Sequence, residues 1–404
     1  MAKIEIRSVT KLFGEHTSAA LSMLKKGKGK SDILRKTGCA LGVNNVSLDI
    51  NEGELVVLMG LSGSGKSTLL RCVNRLIEPN RGSIFVDGED VLRLSGSELR
   101  ELRQKKFGMV FQSFALFPHR TVLQNTEFGL EVMGVNERAR RDRAMQTLEM
   151  VGLKNWVDSY PSQLSGGMQQ RVGLARALAL DPDVLLMDEA FSALDPLIRR
   201  EMQLELSRMQ EEMRKTIIFV SHDLDEALAI GDRIVLMRDG AVVQIGSPEE
   251  ILTAPADDYV TRFVADADIS RVLTAASVMK RSEAVAVLGI DGPRTALRKM
   301  RTHGIAYLFV IDRGQRLHGL ISVEKVSELY ASGGRDLESI LVHELQTVDL
   351  DTPASELIPL MAGLPYPLAV TDQRNRLVGV IIRGTLLGAL AEGGNPESAS
   401  ISVK

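Results

Sequence analysis

The sequence predicts an α/β domain over residues 1–265, followed by a smaller α+β domain of two similar units over residues 266–392. Three observations predict it. Short apolar runs alternate with helix-like stretches in the first part, a glycine-rich phosphate-binding pattern sits directly behind one of those runs, and a strand-turn-strand pattern recurs near the end. At 404 residues the chain has room for two or three domains.

Residues 55–59, 184–187 and 217–220 are continuous apolar runs of strand length, the mark of strands buried on both faces of a parallel sheet. Each precedes a turn and an amphipathic stretch, the order that builds α/β layers. Residues 232–246 place Asp239-Gly240 between two apolar runs and predict a closing β-hairpin. A connecting helix is expected just beyond Pro255. In the second part, LFVIDRGQRLHGLI from Leu308 returns as LAVTDQRNRLVGVI from Leu368. The pairs Leu308/Leu368, Val310/Val370, Asp312/Asp372, Arg316/Arg376, Leu317/Leu377, Gly319/Gly379 and Ile321/Ile381 match. Two such units bury their apolar faces against each other. Residues 393–404, with glycine, serine and asparagine, are expected to be a disordered tail.

The most specific pattern is GLSGSGKST, residues 60–68, behind the strand ELVVLM. It satisfies G-x-x-x-x-G-K-[ST], for which a chance match in such a chain has a probability on the order of one per cent. The chemistry requires these residue types. Gly60, Gly63 and Gly65 let backbone N–H groups close around phosphate oxygens, and the following helix adds partial positive charge. Lys66 supplies a cation for β- and γ-phosphates, the Ser67 hydroxyl suits Mg²⁺, and Ser62, Ser64 and Thr68 complete the nucleotide-binding set. The cofactors implied are ATP and Mg²⁺. The second pattern is DVLLMDEA, an apolar strand ending in Asp188 and Glu189. Adjacent carboxylates at a buried strand end need a cation or donors to receive them. Asp188 suits support of Mg²⁺, and Glu189 suits polarisation of an attacking water.

With these residues in place, LSGGMQQRVGLARALA (residues 164–179) resembles the signature segment of ABC ATPases. The order also fits: phosphate loop, Gln112 in MVFQSF, signature, Asp188-Glu189, then SALD like the family's D-loop, and His222 like its switch histidine. The resemblance implies a P-loop NTPase fold with a helical subdomain. It implies that two copies pair head to tail around ATP, with Gln112, Asp188, Glu189 and His222 serving one nucleotide. Gln112 would also contact the metal, and Ser165, Gly166 and Gly167 would reach the nucleotide bound by the partner copy. Phe13 resembles the aromatic that stacks on adenine, with a core or surface phenylalanine as the alternative. One departure is Met168, where the family's signature usually ends in glutamine.

A finer resemblance is to the ATP-binding subunits of glycine betaine and proline betaine importers. It rests on SFALFPH, on DEAFSALDPLIRREM with Ala190 and Phe191, on RLIEP, on a long N-terminal insertion, and on the C-terminal repeat, which resembles a CBS pair. It implies a membrane permease and a substrate-binding protein or domain as partners, and a peripheral position on the cytoplasmic face of the cell membrane. The aromatics Phe111, Phe114 and Phe117 are expected to be exposed there for the permease, with burial in the domain's own core as the alternative. In the CBS pair, Ser322 is followed by Lys325, and Ile382 and Thr385 stand at the matching places. Neither copy keeps the Ser/Thr-x-x-Asp spacing of adenosine-binding units. A regulatory ligand site and a dimer-forming spacer both remain open, and Asp312 and Asp372 are expected to cap turns.

Composition excludes other classes. The charge is −3 and aromatics are 4%, unlike a basic, aromatic-studded nucleic-acid groove. No apolar run approaches the roughly 18–20 residues of a membrane span, and the start MAKIEIRSVTKLFG lacks signal-peptide character. Cys39 and Cys72 make neither a disulfide framework nor a zinc site. Residues 25–36 hold Lys25, Lys26, Lys28, Lys30, Arg35 and Lys36 against Asp32, which predicts either a solvated loop or contact with anionic membrane lipid. The rival class, a soluble ABC ATPase acting on nucleic acid or the ribosome, usually carries a coiled-coil insertion, zinc cysteines or two cassettes, and none is present.

Overall fold

The computed structural model describes residues 2–265, 270, 272–282 and 284–392. The expected tail at 393–404 lies outside them. The chain divides into two compact units, Met1–Ala265 and Asp266–Lys404.

In the first unit, β1 (Ala2–Phe13) leads into two short helices, α1 (Thr17–Lys25) and α2 (Lys30–Thr37), and returns as β2 (Ala40–Asn51). Then come β3 (Leu55–Met59), α3 (Lys66–Val73), β4 (Arg81–Val86), β5 (Glu89–Asp90), α4 (Gly96–Lys106) and β6 (Phe107–Val110). The helices α5 (Val122–Val132), α6 (Glu137–Met150) and α7 (Gly166–Leu178) pack on one another as a helical subdomain. The unit closes with β7 (Val184–Asp188), α8 (Pro196–Met213), β8 (Thr216–Ser221), α9 (Leu224–Ile230), β9 (Arg233–Arg238), β10 (Ala241–Gly246), α10 (Pro248–Thr253) and α11 (Asp258–Val264).

Two sheets result. One is antiparallel, in the order β2-β1-β4-β5; the other runs β10-β9-β3-β8-β7-β6, parallel except at the β9–β10 hairpin. The apolar runs read as strands, β3, β7 and β8, are buried at every residue. Their continuous apolarity is what a strand covered on both faces requires. Leu69, Leu70 and Val73 of α3 join Ile4 and Ile84 of the antiparallel sheet with Val56, Leu186 and Val220 of the parallel one in a single core. At the edge of that core Lys3 and Lys106 each lie 2.7–3.0 Å from both Asp87 and Asp183, tying the two sheets together.

The basic stretch is not one loop: Lys25 ends α1, residues 26–29 form the turn, and α2 follows, with Ile33 of α2 and Ala20 of α1 fully buried beside Leu12, Cys39 and Leu41.

The second unit contains α12 (Ala275–Val278), β11 (Val285–Val287), α13 (Pro293–His303), β12 (Tyr307–Ile311), β13 (Leu317–Ser322) and α14 (Val323–Ala331). Then β14 (Thr347–Asp349), α15 (Ala354–Ala362), β15 (Leu368–Thr371), β16 (Leu377–Ile381) and α16 (Arg383–Glu392) repeat the order. Each copy builds a three-stranded sheet, β11-β12-β13 and β14-β15-β16. The copies are tied reciprocally: Leu317 N–H donates to Asn375 O at 2.9 Å, and Leu377 N–H to Gln315 O at 3.0 Å. The matched glycines have a shared reason. A Cβ on Gly319 would lie 2.5 Å from Val342 O, and one on Gly379 would lie 2.9 Å from Lys280 O, because a neighbouring segment pairs beside each at Leu320 and Val380.

Candidate functional site

The phosphate-binding loop connects β3 to α3, and its glycines are fixed by geometry. Gly60 and Gly65 have φ of +141° and +104°, and a Cβ on either would come within 2.1 Å of a backbone carbonyl oxygen, that of Met237 or of Gly42. Gly65 caps α3 without any side-chain hydrogen bond, so the first amides of the helix are left for another acceptor. Lys66 is buried. Its ammonium donates to the carbonyls of Gly60 at 2.7 Å and Leu61 at 3.2 Å. Burial lowers the Lys66 pKa, opposed by the negative charges of Glu189 and Asp188. The Ser64 hydroxyl is buried beside the loop with no protein partner. Open helix amides, a buried ammonium on exchangeable carbonyls and an orphaned hydroxyl fit a polyphosphate anion.

The acids sit where β7 ends. Asp188 is 5% exposed and accepts from Arg71 at 2.9 Å. Glu189 adopts a left-handed φ of +48°, a conformation that costs a non-glycine residue roughly 1–3 kcal/mol and persists only where its surroundings hold it. They do. Its N–H donates to Val220 O at 3.1 Å, and its carbonyl accepts from the Ser192 hydroxyl at 2.9 Å. Its Oε2 accepts from Gln112 Nε2 at 3.2 Å and lies 3.5 Å from His222 Nδ1. Gln112, Glu189 and His222, far apart in sequence, meet at one carboxylate. Behind them Glu226 is buried, and burial pushes its pKa up against the hydrogen bonds from Ser221 and Gln203.

Ser165 caps α7, its hydroxyl accepting from Met168 N–H at 3.3 Å. That contact uses the backbone of residue 168, so methionine there does not disturb it. A Cβ on Gly167 would lie 2.5 Å from Ile198 Cγ2, so the close seating of α8 requires glycine. Phe13 is 41% exposed, which removes the core alternative. Its ring edge and Thr68 Cγ2 both crowd Gly42, which places the ring beside the start of α3.

One expectation is corrected: Phe111, Phe114 and Phe117 are half-buried, nearer the core alternative than full exposure. The Phe117 ring packs on Phe128 at 4.5 Å under the Arg120 guanidinium, and Asn125, fully buried, bonds its backbone on both sides. Sequence reasoning also missed Arg71 as the partner of Asp188. It stands four residues after Ser67 on α3, so helical spacing puts both on one face.

In the repeat unit Asp312 Oδ1 accepts from Gly314 and Arg316 N–H, and Asp372 Oδ1 from Arg374 and Arg376 N–H, which holds the Asp372 carboxyl down at about 2. Both cap turns. The Ser322 hydroxyl accepts from Lys325 N–H, and that of Thr385 bonds the Ile382 backbone, so both act as local caps. A cavity of about 620 Å³ opens between the copies, bordered by Tyr307, Phe309, Pro367, Val380 and Ile382.

A glycine-bound phosphate cradle, an Asp-Glu strand end and a Ser-Gly-Gly helix start on one α/β unit define an ATP-binding cassette. The family model described as ABC transporter matches residues 43–192, and that described as CBS domain matches 275–332 and 337–392. The chain is 52% identical over 395 residues to the glycine betaine transport ATP-binding protein OpuAA of Bacillus subtilis, covering 98% of this chain and 93% of that one. It is 50% identical over 390 residues to the glycine betaine/proline betaine transport system ATP-binding protein ProV of Escherichia coli, covering 96% and 97%. The ATP-binding cassette MJ0796, solved as a dimer in a post-hydrolysis state with ADP and Pi, superposes with a TM-score of 0.51 at 34% identity over 61% of this chain and 98% of that one. The chain belongs to the ABC transporter family, as an ATP-binding subunit with a C-terminal CBS pair.

Proposed function

We propose that this protein hydrolyses ATP to power import of a quaternary amine such as glycine betaine or proline betaine, through a membrane permease fed by a substrate-binding protein or domain. The observation that carries it is 52% identity to a glycine betaine transport ATP-binding protein over nearly the whole of both chains. The site supports the chemistry. The amides of residues 60–68 would hold the triphosphate, and Lys66, now on the carbonyls of Gly60 and Leu61, would turn to its β- and γ-phosphate oxygens. Ser67, Gln112 and Asp188 are the residues that would hold Mg²⁺, which supplies charge neutralisation between the β- and γ-phosphates. Glu189 polarises the attacking water, and His222 contacts the γ-phosphate. Phe13 stacks on adenine. Ser165, Gly166 and Gly167 complete the site of a second copy paired head to tail, and the segment after Gln112 faces the permease from the cytoplasmic side.

Proteoliposomes holding this chain with its permease and substrate-binding protein or domain, loaded with ATP, are expected to accumulate labelled glycine betaine. Absence of ATP-dependent uptake, with ATPase stimulated instead by nucleic acid or ribosomes, would overturn the reading.

Anionic lipid is proposed as a further partner of Lys25, Lys26, Lys28, Arg35 and Lys36, all exposed. Each cation near such a surface contributes roughly 1 kcal/mol, fading within a Debye length of about 10 Å at 0.1 M salt and about 3 Å at 1 M. In this proposal the lipid-bound insertion is the inhibited state, so uptake is low at low internal salt and released at high salt. Replacing Lys25, Lys26 and Lys28 by glutamine is expected to give high uptake already at low salt. An unchanged salt profile in anionic liposomes would refute the contact.

A further inference from the structure

One lysine of the insertion does not face solvent with the others. Lys30, the first residue of α2, donates from Nζ to the carbonyl of Gly63, in the phosphate-binding loop, at 2.8 Å. We infer that Lys30 is a positioning residue of the nucleotide site, through which the helical insertion holds the tip of the phosphate-binding loop in its binding conformation.

Gly63 is the part of the loop that packing leaves free. Its φ is +76°, and a Cβ placed on it would meet nothing within 4 Å. Hydrogen bonds alone restrain that peptide. On one side the Ser64 N–H donates to Leu61 O at 3.1 Å; on the other the Gly63 carbonyl receives the Lys30 ammonium. The same Leu61 carbonyl accepts from Lys66 Nζ at 3.2 Å. Lys30 and the Ser64 N–H therefore bond head to tail through the Gly63–Ser64 peptide and polarise one another, and the line ends on the Leu61 carbonyl, to which the cation that meets the phosphates also donates. Without Lys30 the glycine peptide is free to turn, and ATP must order it on binding, which costs affinity.

The insertion is built to make this contact. Its two helices are fastened to β1 and β2 by Leu12, Ala20, Ile33, Cys39 and Leu41, each 4% exposed or less. Gly14, at φ +133°, closes against Cys39, where a Cβ would lie 2.9 Å from the sulfur. Lys30 thus extends from a fixed element, and it is half-buried while Lys25, Lys26 and Lys28 are exposed. It contacts a backbone carbonyl, so its partner is the shape of the loop and not a charge.

The test is steady-state ATP hydrolysis and amide hydrogen exchange on the full chain. Lys30→Met is expected to raise KM for ATP roughly three- to tenfold, with kcat within twofold, and to speed exchange of the amides of residues 61–66 without nucleotide. Lys30→Arg restores both, and Lys28→Met changes neither. An unchanged KM and exchange pattern in Lys30→Met, or an equal shift in Lys28→Met, overturns the assignment. Should Lys30→Met fail to fold, Lys30→Gln, which keeps a neutral donor, carries the comparison. Since the proposal rests on reading residues 60–68 as the ATP cradle, Lys66→Ala is measured alongside. No loss of affinity in Lys66→Ala refutes the cradle, whereas loss there with none in Lys30→Met refutes only the role of Lys30.

Discussion

Glu189→Gln is expected to abolish steady-state ATP hydrolysis while leaving ATP binding nearly intact. The amide has the size of the carboxylate, and its oxygen still accepts from Gln112, which now bonds Glu189 Oε2 at 3.2 Å. The strained backbone at φ +48° is held by Val220 O and the Ser192 hydroxyl, through groups the substitution does not touch. What is lost is the negative charge that draws a proton from water as the γ-phosphate is attacked. General-base assistance of this kind is worth typically 10²–10⁴-fold. In the proposed head-to-tail pair hydrolysis reopens the dimer, so the variant is also expected to accumulate as a nucleotide-trapped dimer, visible by size-exclusion chromatography with ATP. A coupled phosphate-release assay reads the loss. Turnover near that of the unsubstituted chain would take Glu189 out of the role.

The residues that could be read from the sequence carry local chemistry. A glycine loop behind an apolar strand needs only its own nine residues to announce phosphate binding, and β3 and α3 sit on either side of it. The pair Asp188-Glu189 is legible for the same reason, whereas the start of α7 at Ser165 was legible only through its resemblance to the ABC signature segment. Contacts between distant segments were not. Arg71 meets Asp188 across 117 residues, and Lys30 meets Gly63 across 33, and neither lysine nor arginine announces which carbonyl or carboxylate it will reach. The basic stretch read as a loop because charge dominates its composition. Its buried apolar residue, Ile33, packs with Ala20, Leu21 and Leu24 from the segment before it, and β1 and β2 supply the rest of that core. The half-burial of Phe117 depends on Phe128 and Asn125, which only the packing of the helical subdomain brings near. In the repeat, Gly319 and Gly379 showed as matched letters, while their cause, the approach of Val342 and Lys280, lies in segments outside the matched pattern.

Lys66→Ala is expected to weaken ATP affinity itself, separating it from Glu189→Gln. The lysine is 4% exposed, with its ammonium on the carbonyls of Gly60 and Leu61 near the Asp188 and Glu189 charges. Burial lowers its pKa, so the charged form is held there at a cost that phosphate oxygens relieve. The sign matters for the control. A lysine whose folded pKa lies below its unfolded value carries an unfavourable contribution to folding, present at pH below the folded pKa and removed as pH rises through the unfolded one. Its removal therefore does not lower the melting temperature of the nucleotide-free chain at neutral pH through loss of charge. The bound state loses a charge-assisted contact of roughly 1.5–3 kcal/mol, a decrease in affinity of about tenfold to a hundredfold. It also removes one of the positive charges near Asp188 and Glu189. Calorimetric titration with ATP reads the affinity, and a thermal melt without nucleotide shows that the fold persists. Equal affinity in the variant would contradict residues 60–68 as the phosphate cradle; a lowered affinity accompanied by an equal collapse of the nucleotide-free melt would mark Lys66 as a structural residue.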